Sequence, residues 1–256
     1  MDPVSPRQTD IVRITHETGR VNVEDLAKQF NVTAQTIRRD LNDLCKRGQL
    51  QRFHGGAVPA SGVTNADYNA RHELAMEEKR RIGRHAASLI PDDCSIMINI
   101  GTTTEQVALA LNGKKNLLVI TNNINVVNIL CNNKNIEVIV AGGVVRPRDG
   151  GVVGEPAVDF IKQFKVDYAI MGVSAIDEDG SMLDYDYREV KVAKTIMSIA
   201  RRSILVADSM KFKRSAPVRI GHISQLYTLV TNEAPPPPIV DICKNNDVEL
   251  EIASSS

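Results

Sequence analysis

Tryptophan is absent from the 256 residues, and five tyrosines and five phenylalanines are the only aromatics. So small a supply argues against an all-β domain and against an aromatic stacking platform for single-stranded nucleic acid. Cysteine is scarce as well. Cys45, Cys94, Cys131 and Cys243 stand far apart, form no C-x-x-C pair and have no histidine at ligand spacing. Neither a structural zinc site nor a disulfide framework is expected, and no metal or cofactor. Four reduced thiols suit a reducing cytosol. No apolar run approaches the ~18 residues that cross a bilayer. Met1 to Asp10 lacks the hydrophobic core of a secretion signal. The expectation is a cytoplasmic protein without membrane contact. Net charge is also missing, since 31 basic and 31 acidic side chains cancel. A uniformly basic nucleic-acid binder is thereby excluded, a local basic patch is not.

What is present begins with an ordinary globular share of hydrophobic residues, 43%, which argues against disorder. The length suits either a small domain of roughly 60 residues followed by one of roughly 190, or one large domain. Residues 7–18 read as a helix with the apolar stripe Ile11, Val12 and Ile14, stopped at Gly19. A second helical pattern runs from Glu24 to Phe30, and Asn31-Val32 is a tight break. Thr33 is a good N-cap for Ala34 to Lys46, where Ile37, Leu41 and Leu44 fall at helical spacing and Gly48 ends the helix. Leu50–Phe53 fits a strand, and His54-Gly55-Gly56-Ala57 a turn or returning strand. Two short helices joined by a tight turn fit a helix-turn-helix, with a solvated face on a small helical domain as the competing reading. Opposite the apolar stripe, near the start of the second helix, lie Gln35, Thr36, Arg38 and Arg39. Gln pairs with adenine edges and Arg with guanine edges, and both also bind phosphate. Between residues 33 and 54, five basic side chains stand against two acidic ones, the local excess that a phosphate backbone requires.

Residues 58–75, with Pro59, Ser61 and Gly62, read as a linker. A helix follows from Glu77 and leads to Pro91. Then β-rich runs alternate with helical patterns: 95–100, 117–121, 136–141, 166–172, 203–207, 225–231 and 248–252. This alternation predicts an α/β domain with a mostly parallel sheet covered on both faces. No internal repeat is found, and Pro235 to Pro238 are expected to make a rigid turn. The run 95–100 ends at Gly101-Thr102-Thr103-Thr104 before a helix, a combination that cradles anions but also marks an ordinary capped helix. Thr121-Asn122-Asn123, Ala141-Gly142-Gly143 and Gly172-Val173-Ser174 follow the next strands, with Asp177, Asp179 and Gly180 close behind. Ligands in open α/β sheets sit beyond such carboxyl ends, so a shared pocket is expected. His16, His72, His85 and His222 show no partner pattern.

The run Thr33-Ala34-Gln35-Thr36-Ile37-Arg38-Arg39-Asp40-Leu41, followed by Leu44, Gly48, Leu50 and Arg52-Phe53-His54-Gly55-Gly56-Ala57, closely resembles the DeoR-type repressors. The resemblance implies that the first run is a recognition helix and that the Gly-Gly segment lies on the wing. Thr33, Gln35, Thr36, Arg38, Arg39, Arg52 and His54 are then the candidate DNA contacts. From about residue 77 to 252 the chain resembles the effector domain of the same family, which has the fold of ribose-phosphate isomerase and glucosamine-phosphate deaminase. The implied organisation is a winged helix-turn-helix domain at 1–57, a linker at 58–75 and a sensing domain at 76–256. Thr121–Val126, Arg148-Asp149-Gly150-Gly151, Gly154-Glu155, Asp159–Phe164, Asp186-Tyr187-Arg188-Glu189-Val190 and Ala234–Pro237 narrow the resemblance further. They imply glycerol 3-phosphate as the ligand and release of operator double-stranded DNA when it binds. Another sugar phosphate in the same role remains open.

The candidate effector residues are Gly101, Thr102, Thr103, Asn122, Asn123, Gly143, Asp177, Glu189, Lys191 and Lys211, the lysine matching one in a late motif of the family. Two positions depart from the family pattern. Asn99 stands where an acidic residue is common, and Ala193-Lys194 where Lys-Arg is usual. The fold relatives are isomerases and deaminases, so a sugar-phosphate isomerase fused to a DNA-binding domain is the competing class. It is disfavoured because Asn99 is no base and the sequence shows no carboxylate pair close to the anion loop. A homo-oligomer, dimer or tetramer, is expected, matching repeated or palindromic half-sites.

Overall fold

The computed structural model describes residues 5–18, 21–47, 49–53, 55–59, 68, 72 and 75–253; for 16, 51–53 and 58–59 it describes the backbone alone. The chain divides into two compact units, Met1–Thr64 and Asn65–Ser256.

In the first unit α1 (Pro6–Thr18), β1 (Val21–Asn22), α2 (Val23–Gln29) and α3 (Ala34–Lys46) precede β2 (Leu50–Phe53) and β3 (Gly56–Pro59). Ile37, Leu41 and Leu44 form one fully buried stripe on α3 and join Ile11, Val23 and Leu26 in a small core. Thr33 Oγ1 accepts from the Thr36 amide at 3.2 Å, satisfying one of the donors that a helix start leaves unpaired. Asn31, at φ 51°, turns the chain between α2 and α3. Asp40 accepts from Arg7 Nε at 2.7 Å and Gln8 Nε2 at 3.3 Å, tying α3 to α1 with a charge-assisted bond. The strands pair antiparallel in the order β1-β3-β2. Phe53 faces Gly56, so the hairpin turn has two residues, and Gly55 takes φ 92°, which glycine adopts without steric cost. Gly19 and Gly48, the expected helix stops, lie outside the described residues.

The second unit contains α4 (Met76–Ser88), β4 (Ser95–Ile98), α5 (Thr102–Ala110), β5 (Leu117–Thr121), α6 (Ile124–Leu130), β6 (Ile136–Val140), β7 (Val144–Val145), β8 (Val152–Val153), α7 (Glu155–Ile161) and β9 (Val166–Met171). It continues with β10 (Ala175–Ile176), β11 (Ser181–Asp184), α8 (Tyr187–Ile199), β12 (Ala200–Val206), β13 (Val218–His222), β14 (Thr228–Thr231), α9 (Pro237–Asn245) and β15 (Glu249–Ile252). Seven strands make a sheet in the order β15-β14-β12-β9-β4-β5-β6, and every pairing in it is parallel. Side chains alternate between its faces. Met97, Ala169, Met171 and Leu205 pack with α7, α8 and α9, whereas Ile96, Ile98, Ile170 and Val206 pack with α4 and α5. Burial on both sides is why these strands read as continuous apolar runs.

Three features depart from the sequence expectation. β7 and β8 form an antiparallel hairpin, and β10, β11 and β13 form a separate antiparallel sheet. Pro237 and Pro238 open α9, since a fixed φ and a missing amide cost nothing in the first helical turn. Among the described residues no helix is long and apolar enough to cross a membrane, and no cluster of metal-ligating side chains occurs.

The strand order determines where a ligand fits. From β4 the chain steps through β5 and β6 toward one edge. It then returns to β9 on the other side of β4 and steps through β12, β14 and β15. The order therefore reverses between β4 and β9, where the connections leave in opposite directions and open a crevice.

Candidate functional site

On α3, Gln35, Arg38 and Arg39 are exposed opposite the buried stripe, Thr36 is half-buried, and Thr33 stands at the helix start. Arg38 Nη2 lies 3.5 Å from Glu24 Oε1, with both side chains exposed. Such a pair contributes at most about 1 kcal/mol in water, too little to hold Arg38 back from a phosphate or a base. The Arg52 side chain and all of His54 lie outside the described residues.

In the second unit a cleft opens at the order reversal. Its lining comes from the carboxyl ends of β4 (Ile100, Gly101, Thr102, Thr103), β9 (Gly172, Val173, Ser174) and β12 (Val206, Lys211), together with Asp184 and Glu189. It is open to solvent and leaves about 30 Å³ for the centre of a water molecule. Gly101 is at φ 152°, and α5 starts immediately after it. Thr104 Oγ1 donates to the carbonyls of Asn99 (2.7 Å) and Gly101 (2.8 Å), which braces the turn from below. The Thr102 and Thr103 hydroxyls have no hydrogen-bond partner among the described residues, and the first helical bond of α5 is the Glu105 amide to Gly101 O at 3.0 Å. Donors at the positive end of a helix dipole thus face the cleft uncommitted. Lys211 reaches the same lining from the 3₁₀ turn Ser209–Lys213, which Asp208 caps through the Met210 amide at 3.1 Å.

The opposite wall is acidic. Ser174 Oγ donates to Asp184 Oδ2 at 3.0 Å. Glu189 Oε2 lies 2.7 Å from Arg146 Nη1. Arg146 is itself buried and is gripped twice by Asp149, at 3.0 and 2.7 Å, and once by Asp186, at 3.3 Å. Arg188 shares Asp186 at 2.8 Å and Arg148 approaches Asp149 at 3.6 Å, while Glu189 pairs with Arg146. The pKa of Arg146 is raised, since the charges of Glu189 and Asp149 more than offset its burial. Burial, joined by the charge of Asp184, pushes the Glu189 carboxyl up to about 7 against the pull of Arg146. Asp186 goes the other way, held well below the usual carboxylate range chiefly by Arg188.

These directions have a measurable consequence. The folded state holds the Glu189 proton more tightly than an unfolded chain, whose value is near 4.5. Its contribution to stability is therefore fully present below pH 4.5 and is lost as pH rises toward 7. Glu189→Gln is expected to remove that component. The wild-type melting temperature should decline relative to the variant between pH 4.5 and 7, and profiles running parallel across that window would contradict it.

The cleft brings together Gly101, Thr102, Thr103, Glu189 and Lys211 from the sequence expectation. The other expected effector residues lie elsewhere. Asn122 Nδ2 donates to Val152 O at 3.1 Å, and Asn123 Nδ2 to Glu105 Oε1 at 3.0 Å. Both knit the end of β5 to its neighbours. Gly143, at φ 151°, sits where a Cβ would come within 2.9 Å of Val153 O, so close backbone approach accounts for that glycine. Asp177 is exposed on the turn between β10 and β11, and Lys191 is exposed and pairs with Glu155 at 2.6 Å. The expectation that no carboxylate pair stands near the anion loop does not hold, because Asp184 and Glu189 share its cleft. Asp184 and Arg146 were missed, and Ser174 was read only as part of a polar turn at a strand end. Arg146 precedes Asp149 by three residues, but its other partners are about forty positions away, and no local spacing marks them.

Two family models match, the DeoR-like helix-turn-helix domain over residues 7–62 and the DeoR C terminal sensor domain over residues 74–233. The chain belongs to the DeoR family. It is a DeoR-type DNA-binding repressor by homology. It is 41% identical over 246 residues to the glycerol-3-phosphate regulon repressor of Escherichia coli (strain K12), covering 96% of this chain and 98% of that one. It is 42% identical over 250 residues to the glycerol-3-phosphate regulon repressor of Haemophilus influenzae, covering 98% and 97%. Among solved structures, ribose 5 phosphate isomerase A from Neisseria gonorrhoeae overlaps 53% of this DeoR protein and 53% of its own chain, at 19% identity and a TM-score of 0.39.

Proposed function

We propose that this DeoR protein holds operator DNA through α3 and the β2–β3 wing, and releases it when glycerol 3-phosphate occupies the cleft. The observation that carries the reading is the uncommitted Thr102 and Thr103 hydroxyls at the start of α5, facing a cleft that also holds Lys211. Those donors suit a phosphate, and the buried acceptors Asp184 and Glu189 suit the hydroxyls of a polyol. The nearly full-length identity to glycerol-3-phosphate regulon repressors supports the choice of ligand. In this reading Gln35, Arg38 and Arg39 meet the duplex, with Arg52 and His54 on the wing. The working parts are residues 1–57 for DNA, 58–75 as linker and 76–256 for sensing. The protein acts in the cytoplasm as a dimer or tetramer on paired half-sites. It is a switch without catalytic turnover. Asp184 and Glu189 bind hydroxyls and do not shuttle protons, and steady conversion of phosphorylated sugars by the purified chain would overturn this.

The test is a gel-shift titration with a duplex selected from random DNA by the full chain. Glycerol 3-phosphate is expected to dissociate the complex, and other phosphorylated metabolites to do so only at higher concentration. Arg38→Ala should weaken operator binding about 5- to 150-fold, the loss of one base or phosphate contact of about 1–3 kcal/mol, while leaving ligand binding intact. Operator occupancy that stays unchanged at saturating glycerol 3-phosphate would refute the effector assignment, and undiminished affinity of the variant would refute the role of Arg38.

A further inference from the structure

Tyr68 lies four positions after Thr64, the last residue of the first unit, within the stretch whose composition reads as a linker. It is nevertheless anchored. Its hydroxyl donates to Glu105 Oε2 at 2.7 Å and accepts from Asn125 Nδ2 at 3.1 Å. Its ring tilts against His72, with centroids 5.9 Å apart. Glu105 is buried and is held by neutral donors: Asn123 Nδ2 and Asn125 Nδ2, both at 3.0 Å on Oε1, and Tyr68 on Oε2. A buried carboxylate needs such donors, and losing one leaves it short of a partner in a low-dielectric setting.

Two hydrogen-bonded routes lead from the Tyr68 hydroxyl to opposite walls of the cleft. The first is short. Glu105 closes the first turn of α5 through its amide on Gly101 O, so its backbone is fixed to the anion-facing turn itself. The second passes through Asn125, whose Nδ2 also donates to Asp149 O at 3.2 Å. Asp149 chelates Arg146, and Arg146 holds Glu189 on the acidic wall. Both walls therefore share one contact with the segment that enters the sensing unit.

We propose that Tyr68 is a positioning residue through which the cleft's occupancy is read by that entering segment. This rests on the effector reading above. A phosphate drawn against the start of α5, and hydroxyls against Glu189, bias the two walls. The Tyr68–Glu105–Asn125 junction has its preferred geometry in one arrangement of those walls, and the segment follows. A ligand shifts an equilibrium only through a difference in affinity between its states, and this junction is where the difference is delivered to the chain leading toward residue 64.

The test measures coupling in the full chain: operator affinity with and without saturating glycerol 3-phosphate, for wild type, Tyr68→Phe and Glu105→Gln. Tyr68→Phe keeps the ring and deletes only the hydroxyl. Expected for it are an unchanged affinity for glycerol 3-phosphate by calorimetry and near wild-type operator affinity without ligand. The ligand-induced loss of operator binding should shrink by about 2- to 30-fold. Glu105→Gln, which turns one of the two accepting oxygens into a donor facing either Tyr68 or the two asparagines, should give a reduction of the same kind. A merely structural role would lower stability or both affinities and leave their ratio alone, and that result overturns the proposal. Wild type that releases operator while Tyr68→Phe releases it equally overturns the role of Tyr68 only. Wild type that keeps its operator at saturating ligand overturns the effector reading, and this proposal with it.

Discussion

Thr102→Val should yield a repressor that binds its operator normally and fails to let go. Valine has the shape of threonine without the hydroxyl. Thr102 lines the cleft and its hydroxyl has no partner among the described residues, so no internal hydrogen bond is orphaned by its removal. A lost hydrogen bond to a charged group costs about 1.5–3 kcal/mol, which corresponds to a roughly 10- to 150-fold weaker effector. Calorimetry with glycerol 3-phosphate reads the affinity, and the gel-shift titration reads the response. Melting temperature and operator binding without ligand should match wild type. A variant that induces at the wild-type concentration would place the phosphate somewhere other than the start of α5.

The second large effect is on stability, at Gly83. This residue lies in the middle of α4, where glycine costs about 1 kcal/mol relative to alanine in an isolated helix. Gly83→Ala would therefore be stabilising on propensity alone. Packing reverses the sign. A Cβ at Gly83 would stand 2.6 Å from the Gln106 carbonyl carbon and 2.7 Å from its oxygen, and these are backbone atoms of α5 that cannot rotate aside. Overpacking against an immobile neighbour costs about 1–3 kcal/mol and at times more. With the propensity gain subtracted, a net loss of about 1–2 kcal/mol is expected, a fall in melting temperature of roughly 2–8 °C for a unit of this size. Because α5 carries Thr102 and Thr103 at its start, effector affinity should fall together with stability. A variant as stable as wild type would show that the two helices have room to separate.

Much of the architecture is legible in the sequence. The stripe Ile37, Leu41 and Leu44, the cap at Thr33 and the alternation of apolar runs with helical patterns are short-range codes. Each is written within a dozen residues and does not depend on what packs against it. The observed α3 (Ala34–Lys46) and the strands at 117–121 and 136–140 follow them closely. The small antiparallel strands β7, β8 and β10 were not legible, because elements of two residues leave no period to read, and β11 (Ser181–Asp184) carries only two apolar residues between polar ends. The turn Gly101-Thr102-Thr103 was visible as a loop that suits an anion, and Lys211 entered through family resemblance.

Of the other wall of the cleft, only Glu189 was named from the sequence, through family resemblance. Asp184 looks like one of several acids in Asp177–Glu189, and nothing local separates it from exposed Asp177 or makes Lys191, paired with Glu155 on the surface, a poorer candidate than Lys211. Arg146, Asp149, Asp186 and Glu189 form one charged cluster although they come from segments about forty residues apart. Tyr68 sits in a stretch whose composition speaks for a linker, and only its 2.7 Å bond to Glu105 shows that it is docked.

Periodicity, capping and turn chemistry in the chain itself determined the helix-turn-helix, the parallel sheet and the glycine turn that starts α5, since each depends on interactions among near neighbours. Which acids line the cleft, which asparagines brace it, and where the entering segment attaches were decided by the reversal of strand order between β4 and β9. That reversal brings the ends of distant strands to one place, and proximity of that kind is a property of the folded sheet rather than of any stretch of residues.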